Sequence, residues 1–362
     1  MQPISFARGN PSPDILPVDA FKDCAETVIA REGRVILNYG PAGGYQPLRE
    51  WIAEQHGVQP SQVILSTGSL TGFNFLMRHL FADGGRAVVE APSYDRTIGV
   101  YRSLGADIVG VPLSDAGLDM DRLERVLGEG PVRVLYTIPT FQNPSGRTLP
   151  LEQRQALAEL AQAHGFLVYE DDPYRLVRYS GEPVPSIYEL AGGKNVVFST
   201  SFSKTGAPGL RVGYMVLPPE LVKPVESIAA SMYIGPPLLP QAMLNEFIRR
   251  GLFEANLGFV CDELRKRRDA MLAGLEAEMP EGTTWSNPDG GYFLWLDLPR
   301  GVKIDAVAAK ADERGVQLVK GTDFYVDGQG DESMRLAFSF PSVDEIAEGT
   351  KRLGAAVRDV IG

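Results

Sequence analysis

The chain has 362 residues, an apolar share of 44% and a formal charge of −11, the profile of an ordinary globular protein of about two domains. An acidic balance of this size offers no basic field to a nucleic-acid backbone or an anionic membrane surface, so neither is expected as a partner. Two cysteines, Cys24 and Cys261, are too few for a disulfide framework or a multi-cysteine zinc site, which points to a reducing, cytoplasmic setting.

The start, MQPISFARGNPSPDILP, lacks the basic and apolar regions of a secretory leader. No run approaches the roughly 20 apolar residues that a membrane-spanning helix needs. From about residue 60, short β-rich runs alternate with helical stretches: VILS, AVVE, DIVGV, VRVLYTI, FLVYED, NVVFST and GYMVL. That alternation predicts an α/β fold with a seven-stranded, mainly parallel sheet flanked by helices. After VILS, the segment STGSLTGFNFL opens a helix whose first free N–H groups, at Gly68, Ser69 and Leu70, suit an anion. After AVVE, APSYDRT offers Tyr94 as a stacking face or as plain core. VRVLYTI runs into PTFQNPSG and presents Asn143, which before Pro144 also suits a turn.

LEQRQALAELAQAHG predicts a helix with Leu151, Ala158, Leu160 and Ala161 on its apolar face and Gly165 as its cap. FLVYED ends on Asp171, with Tyr174 three positions later, and NVVFST runs into SFSK, which places Lys204 just past a strand end. Arg211 follows seven positions on. Beyond about residue 245 a long helical stretch through CDELRKRRDAMLAGLEAEM precedes GGYFLWLDLP, GVQLVKG and MRLAFSF. This predicts a smaller α+β domain over 246–362 after a large domain over 19–245. IGPPLLPQ, near the seam, reads as a linker or a surface turn.

Ligands of open α/β sheets bind beyond the carboxyl ends of the strands. Three successive strands here deliver an amide, a carboxylate and an amine to that edge. Singly, Asn143 suits a turn, Asp171 a cap and Lys204 a solvated surface; together they suggest a site. A lysine amine is nucleophilic only when uncharged, which needs desolvation or a positive neighbour. Its natural partner is an aldehyde such as pyridoxal 5′-phosphate (PLP). That cofactor needs a carboxylate at its ring nitrogen, donors at its phenolic oxygen, a stacked ring and donors for its phosphate. Asp171 can hold the ring-nitrogen proton, Asn143 and Tyr174 can donate to the phenolic oxygen, and Tyr94 can stack. Gly68, Ser69, Leu70, Ser201 and Arg211 can surround the phosphate, with Ser203 in the same SFSK run. His56, His79 and His164 are scattered, so neither a metal site nor a histidine base is expected.

These motifs together resemble the fold-type-I PLP-dependent aminotransferases of class I/II, nearest the branch of 2-aminoadipate aminotransferases and the aminotransferase-like domains of MocR-type regulators. The resemblance runs from ISFARGNPSP through NYGPAGGYQPLRE, FQNPSG, YEDDPY, SFSKTGAPGLRVGY and PDGGYFLWLDLP to MRLAFSF. It implies Lys204 as the Schiff-base lysine and proton carrier, Arg335 as the clamp on the substrate α-carboxylate beside Asn143, and Gly9 as a backbone contact near the substrate. It also implies that Tyr39 reaches the phosphate of a neighbouring subunit, hence a homodimer with shared active sites. The implied reaction moves an amino group between an L-amino acid and a 2-oxo acid, with 2-oxoglutarate as acceptor, by a ping-pong mechanism. A lyase or decarboxylase of the same fold, or a non-catalytic PLP-binding sensor, are the alternatives; the sensor is disfavoured on the expectation that no basic DNA-binding segment precedes residue 1.

The departures from the family pattern fall more on the substrate side than on the cofactor side. Leu70 stands where an amide or small hydroxyl is usual, Asn256 where a histidine is common, and GFVCDE where arginines are usual. Arg8 and Asn10 replace a glycine and a leucine and Lys320 replaces a proline; the resemblance also implies an N-terminal arm over 1–18 that packs with the small domain, shorter here than in many relatives. Arg8 and Lys320 are candidates to meet a distal carboxylate, although both positions also suit solvent.

Overall fold

The computed structural model describes residues 2–362. In chain order it begins with β1 (Ile4–Ser5), α1 (Val18–Ile36), α2 (Gln46–His56), β2 (Val63–Ser66), α3 (Ser69–Leu80), β3 (Arg86–Ala91) and α4 (Asp95–Ser103). Next come β4 (Asp107–Ser114), β5 (Gly117–Leu118), α5 (Met120–Glu129), β6 (Val134–Thr137), α6 (Leu151–His164), β7 (Leu167–Asp171), α7 (Ile187–Ala191), β8 (Val196–Ser201) and β9 (Gly213–Val216). The remainder is α8 (Pro219–Tyr233), α9 (Leu238–Arg249), α10 (Leu252–Glu278), β10 (Thr284–Trp285), β11 (Phe293–Asp297), α11 (Ile304–Glu313), β12 (Val316–Gln317), β13 (Val319–Lys320), β14 (Ser333–Ala337) and α12 (Val343–Ile361).

The large sheet has the order β2-β9-β8-β7-β6-β3-β4-β5. Strands β8, β7, β6, β3 and β4 run parallel, whereas β9 is antiparallel to both its neighbours. All seven apolar runs become strands; the eighth, β5, is a two-residue antiparallel partner of β4 with too few residues to leave a pattern in the sequence. The runs are continuous because helices cover both faces. Successive residues of β7 therefore enter opposite cores, Tyr169 into one and Val168 into the other, and Tyr136 and Leu135 of β6 divide in the same way.

Two expectations are corrected. In α6, Leu151 is 37% exposed and the buried face is Arg154, Leu157, Ala158 and Ala161. Leu151 opens the helix directly after Pro150, ahead of the stripe that meets the sheet, and Arg154 takes an inward position because backbone carbonyls receive its guanidinium. IGPPLLPQ is a turn and not a linker: Ile234 caps α8 at φ 67°, and LLPQ is already the first turn of α9.

A second sheet, β10-β11-β14-β13, is wholly antiparallel. Arg335 lies on its central strand β14, opposite Trp295 of β11 and Val319 of β13. At the other end of the sequence β1 pairs in parallel with β12, which draws residues 7–9 toward Arg335. Among the described residues no helix is long and apolar enough to cross a membrane.

Candidate active site

Beyond the carboxyl ends of β6, β7 and β8 lies a cavity of about 570 Å³. Lys204 follows β8 and carries its amine into this space, where Nζ donates to the Gly9 carbonyl at 2.8 Å. The amine also sits 5.0 Å from the Tyr292 ring centroid and 5.8 Å from that of Tyr174. Burial, then the positive fields of Arg335 and Arg211, lower the Lys204 amine to about 8 against the opposing pull of Asp171. The uncharged fraction near neutral pH is thus far larger than for an ordinary lysine at 10.5, though still the minor form. The close approach of Gly9 depends on its lack of a side chain, since a Cβ there would meet the Phe293 ring at 2.5 Å.

Asp171 ends β7. Its Oδ2 accepts the Tyr136 hydroxyl at 2.8 Å, while Oδ1 is buried without a partner. Burial raises its carboxyl to about 7, with Asp172 adding to the rise and the Tyr136 bond and Lys204 opposing it. A buried acceptor with no donor is costly unless a ligand completes it. A protonated ring nitrogen would do so, and its charge would hold the carboxylate ionised.

The third part of the site is an anion cradle. Helix α3 starts at Ser69 behind Gly68, whose φ of 92° an L side chain rarely adopts. A Cβ on Gly68 would lie 2.3 Å from Arg211 Nη2, and one on Gly213 would lie 2.4 Å from the Ser69 amide nitrogen. Arg211 extends Nη1 to the Ser203 hydroxyl at 3.4 Å and Nη2 to the Thr67 carbonyl at 3.2 Å. The Ser201 and Ser203 hydroxyls are 2.8 Å apart. Helix N–H groups, two hydroxyls and a guanidinium thus converge as a phosphate requires. Leu70 packs against the core and leaves its backbone as the polar group offered there.

Arg335 enters from the second sheet. Nη1 donates to Asn143 Oδ1 at 3.0 Å and Nη2 to the Ala7 carbonyl at 2.8 Å, while Nε is buried without a partner. The rings of Phe293 and Phe324 lie 4.4 and 5.1 Å from its guanidinium carbon, and burial lowers its affinity for a proton. Asn143 keeps its amide nitrogen free of protein partners on the cavity side. Tyr94, the N-cap of α4, and the buried Tyr174 also form part of the wall.

Of the residues singled out from sequence, Lys204, Asp171, Tyr94, Ser69, Leu70, Asn143, Tyr174, Ser201, Ser203, Arg211, Arg335 and Gly9 all face this one cavity, and Gly68 caps its helix. Three candidates lie elsewhere. Arg8 is exposed, with its guanidinium 4.9 Å from the Phe340 ring; Lys320 is bonded outward to Asp305 at 2.5 Å; Tyr39 is 81% exposed. Sequence reading passed over Tyr136, which fixes Asp171, and Tyr292, whose hydroxyl donates to the Lys204 carbonyl at 3.2 Å. It also missed the function of Asn256, whose amide holds the Thr205 carbonyl at 3.0 Å behind the lysine loop. The aromatic run GGYFLW was the visible signal for Tyr292 and Phe293; Tyr136 has none, being one apolar residue in a buried strand.

A doubly wound sheet with a desolvated lysine, an incomplete carboxylate and a helix-N-terminal anion cradle at one edge defines an enzyme of the PLP-dependent, fold-type-I class. The model of the family "Aminotransferase class I and II" matches residues 2–353, and the chain belongs to that family. It is 35% identical over 361 residues to the 2-aminoadipate transaminase of Thermus thermophilus, covering 99% of this chain and 91% of that one. Aromatic-amino-acid aminotransferase 1 of Thermococcus litoralis is 34% identical over 98% of this chain and 88% of its own. The crystal structure of alpha-aminoadipate aminotransferase from T. thermophilus, complexed with N-(5′-phosphopyridoxyl)-L-leucine, superposes with a TM-score of 0.94 at 36% identity. That match covers 99% of this chain and 93% of the other. The protein is a PLP-dependent aminotransferase.

Proposed function

We propose that this aminotransferase transfers the amino group of an L-amino acid to 2-oxoglutarate, alternating donor and acceptor in one site by a ping-pong mechanism. The observation that carries the reading is the meeting, in one cavity, of an amine lowered to about 8 at Lys204, a half-satisfied carboxylate at Asp171 and a half-satisfied guanidinium at Arg335. Bound there, PLP supplies an aldehyde that takes up the amino group and a ring that accepts the electrons of the substrate Cα–H bond. Asp171 holds the proton at the ring nitrogen through Oδ1, with Tyr136 fixing its other oxygen. The α3 N-terminus, Ser201, Ser203 and Arg211 bind the phosphate. Arg335, braced by Asn143 and Ala7, binds the substrate α-carboxylate and turns the Cα–H bond toward Lys204. Lys204 removes that proton and would deliver it to the cofactor carbon bonded to the transferred nitrogen, not back to Cα, a role suited to a base with a value near the working pH.

We further propose that the enzyme is a homodimer in which Tyr39 completes the partner's phosphate site. Gly235 lies against Gly40 and Pro41, so the segments carrying exposed Tyr39 (81%) and Ile234 (54%) adjoin at one edge, an apolar patch suited to a second copy. A division into a large unit over 19–245 and a small unit over 246–362 fits the separate sheets. The buried, unbridged Cys24 and Cys261 fit a cytoplasmic setting.

The test is a screen of amino donors with purified protein, following the cofactor's visible spectrum without acceptor and then with 2-oxoglutarate. Stoichiometric conversion of the cofactor to its amine form, reversed by 2-oxoglutarate, is expected. Release of carbon dioxide or ammonia without that conversion would overturn the reading in favour of a lyase.

A further inference from the structure

A dicarboxylic substrate such as 2-oxoglutarate needs a positive group for its second carboxylate, and Arg8 and Lys320 do not face the cavity. The cations on its wall are Arg96, Lys204, Arg211 and Arg335. Lys204 donates to the Gly9 carbonyl, Arg211 lies with the phosphate cradle, and Arg335 is braced for the α-carboxylate. Arg96 remains. It stands in the first turn of α4, two residues beyond Tyr94, with a side chain 70% exposed. Its Nε lies 3.4 Å from Asp95 Oδ2, while Nη1 and Nη2 have no partner among the described residues. One edge of the guanidinium is thus steadied and the other presented as a fork that matches a carboxylate. Tyr94, Arg96 and Arg335 line the same cavity, so a ligand there meets both guanidinium groups.

We infer that Arg96 receives the distal carboxylate of a dicarboxylic substrate whose α-carboxylate is held by Arg335, an inference that rests on the aminotransferase reading above. Asp95 and the exposed Asp323, on the same wall, are the carboxylates left without a cofactor task. They set the specificity threshold: without the Arg96 charge, the mouth would repel a dianion more than a monocarboxylate.

The experiment is calorimetric titration of the PLP-bound protein with glutarate, which has two carboxylates, and butanoate, which has one; neither can be transaminated. Wild type is expected to bind glutarate more tightly than butanoate. Arg96→Gln should weaken glutarate by about fivefold or more, as the loss of roughly 1 kcal/mol from a partly exposed ion pair implies, with butanoate unchanged. Arg96→Lys should recover part of the loss, because a point charge replaces the fork. Asp323→Asn should tighten glutarate and leave butanoate alone. Equal loss of both ligands in Arg96→Gln, unchanged glutarate binding, or no glutarate preference in wild type would overturn the inference. Because no turnover is involved, a protein that shows this pattern yet fails the donor screen would refute the transamination reading and leave the Arg96 assignment standing.

Discussion

Two buried polar clusters, one around Arg154 and one around Asp171 and Arg335, behave in opposite ways. Arg154 is fully buried, and its guanidinium donates to the carbonyls of Leu149, Pro185 and Pro139 and to the Thr140 hydroxyl, so each nitrogen has a partner. The cavity beyond β6, β7 and β8 contains Asp171 Oδ1 and Arg335 Nε with none. Burial penalises charge in both places. In the first, the protein itself completes the hydrogen bonds and the result is a fixed loop between β6 and α6. In the second, completion is left to a ligand, and what the fold loses in stability it gains in binding. Between these two clusters, the half-satisfied groups line the ligand cavity and the fully satisfied one braces a loop.

The comparison breaks most visibly at Lys204. Lys204→Ala should lower turnover by about 10²–10⁴-fold, the range for a lost general base, and remove the cofactor absorbance that depends on the amine. Its thermal midpoint should equal or exceed that of wild type, because a desolvated amine is deleted; steady-state kinetics beside thermal melts read both quantities. Near-normal turnover would remove the lysine from the site.

Arg154→Ala should do the reverse. Four hydrogen-bond acceptors lose their donor, and a loss of about 3–5 kcal/mol in folding stability is expected, read by denaturant titration. The fraction that remains folded should keep the wild-type KM. A change in KM with unchanged stability would erase the distinction between the two clusters.

Gly213→Ala tests the cradle between these extremes. Its Cβ would press on the Ser69 amide and the Gly68 carbonyl carbon, at 2.4 and 2.7 Å, so the α3 N-terminus must shift. We expect about 1–3 kcal/mol of overpacking cost together with weaker PLP retention, measured by dialysis against phosphate. Loss of stability with full cofactor retention would show that the α3 amides do not bind the phosphate.

The smallest effect is a pH shift. Recombination of cofactor-free protein with PLP requires the neutral amine, so its rate should rise with pH and level off above about 8, well below an ordinary lysine at 10.5. Asp171 holds the proton on Lys204, so Asp171→Asn should move the midpoint lower still; stopped-flow absorbance over a pH series reads this. In stability the same amine binds fewer protons folded than unfolded between about 8 and 10.5, so its contribution grows more favourable as pH rises through that window.

What could be read from the chain alone follows from locality. A strand buried on both faces leaves an apolar run, and the residue just past its carboxyl end must lie at one edge of a parallel sheet, so Asn143, Asp171 and Lys204 could be grouped without coordinates. Helix starts and glycine turns are equally local, which is why Gly68 and Ser69 were legible. Tertiary structure alone decided what crosses long separations: Arg335 meeting Asn143 across 192 positions and Ala7 across 328, and Tyr136 bonding to Asp171 from the neighbouring strand. It also turned Lys320 toward Asp305 and Arg8 toward Phe340, and left Arg96 at the cavity mouth. A long, flexible side chain carries no local signature of its direction, because whichever partner lies within reach determines it, and that partner is placed by packing.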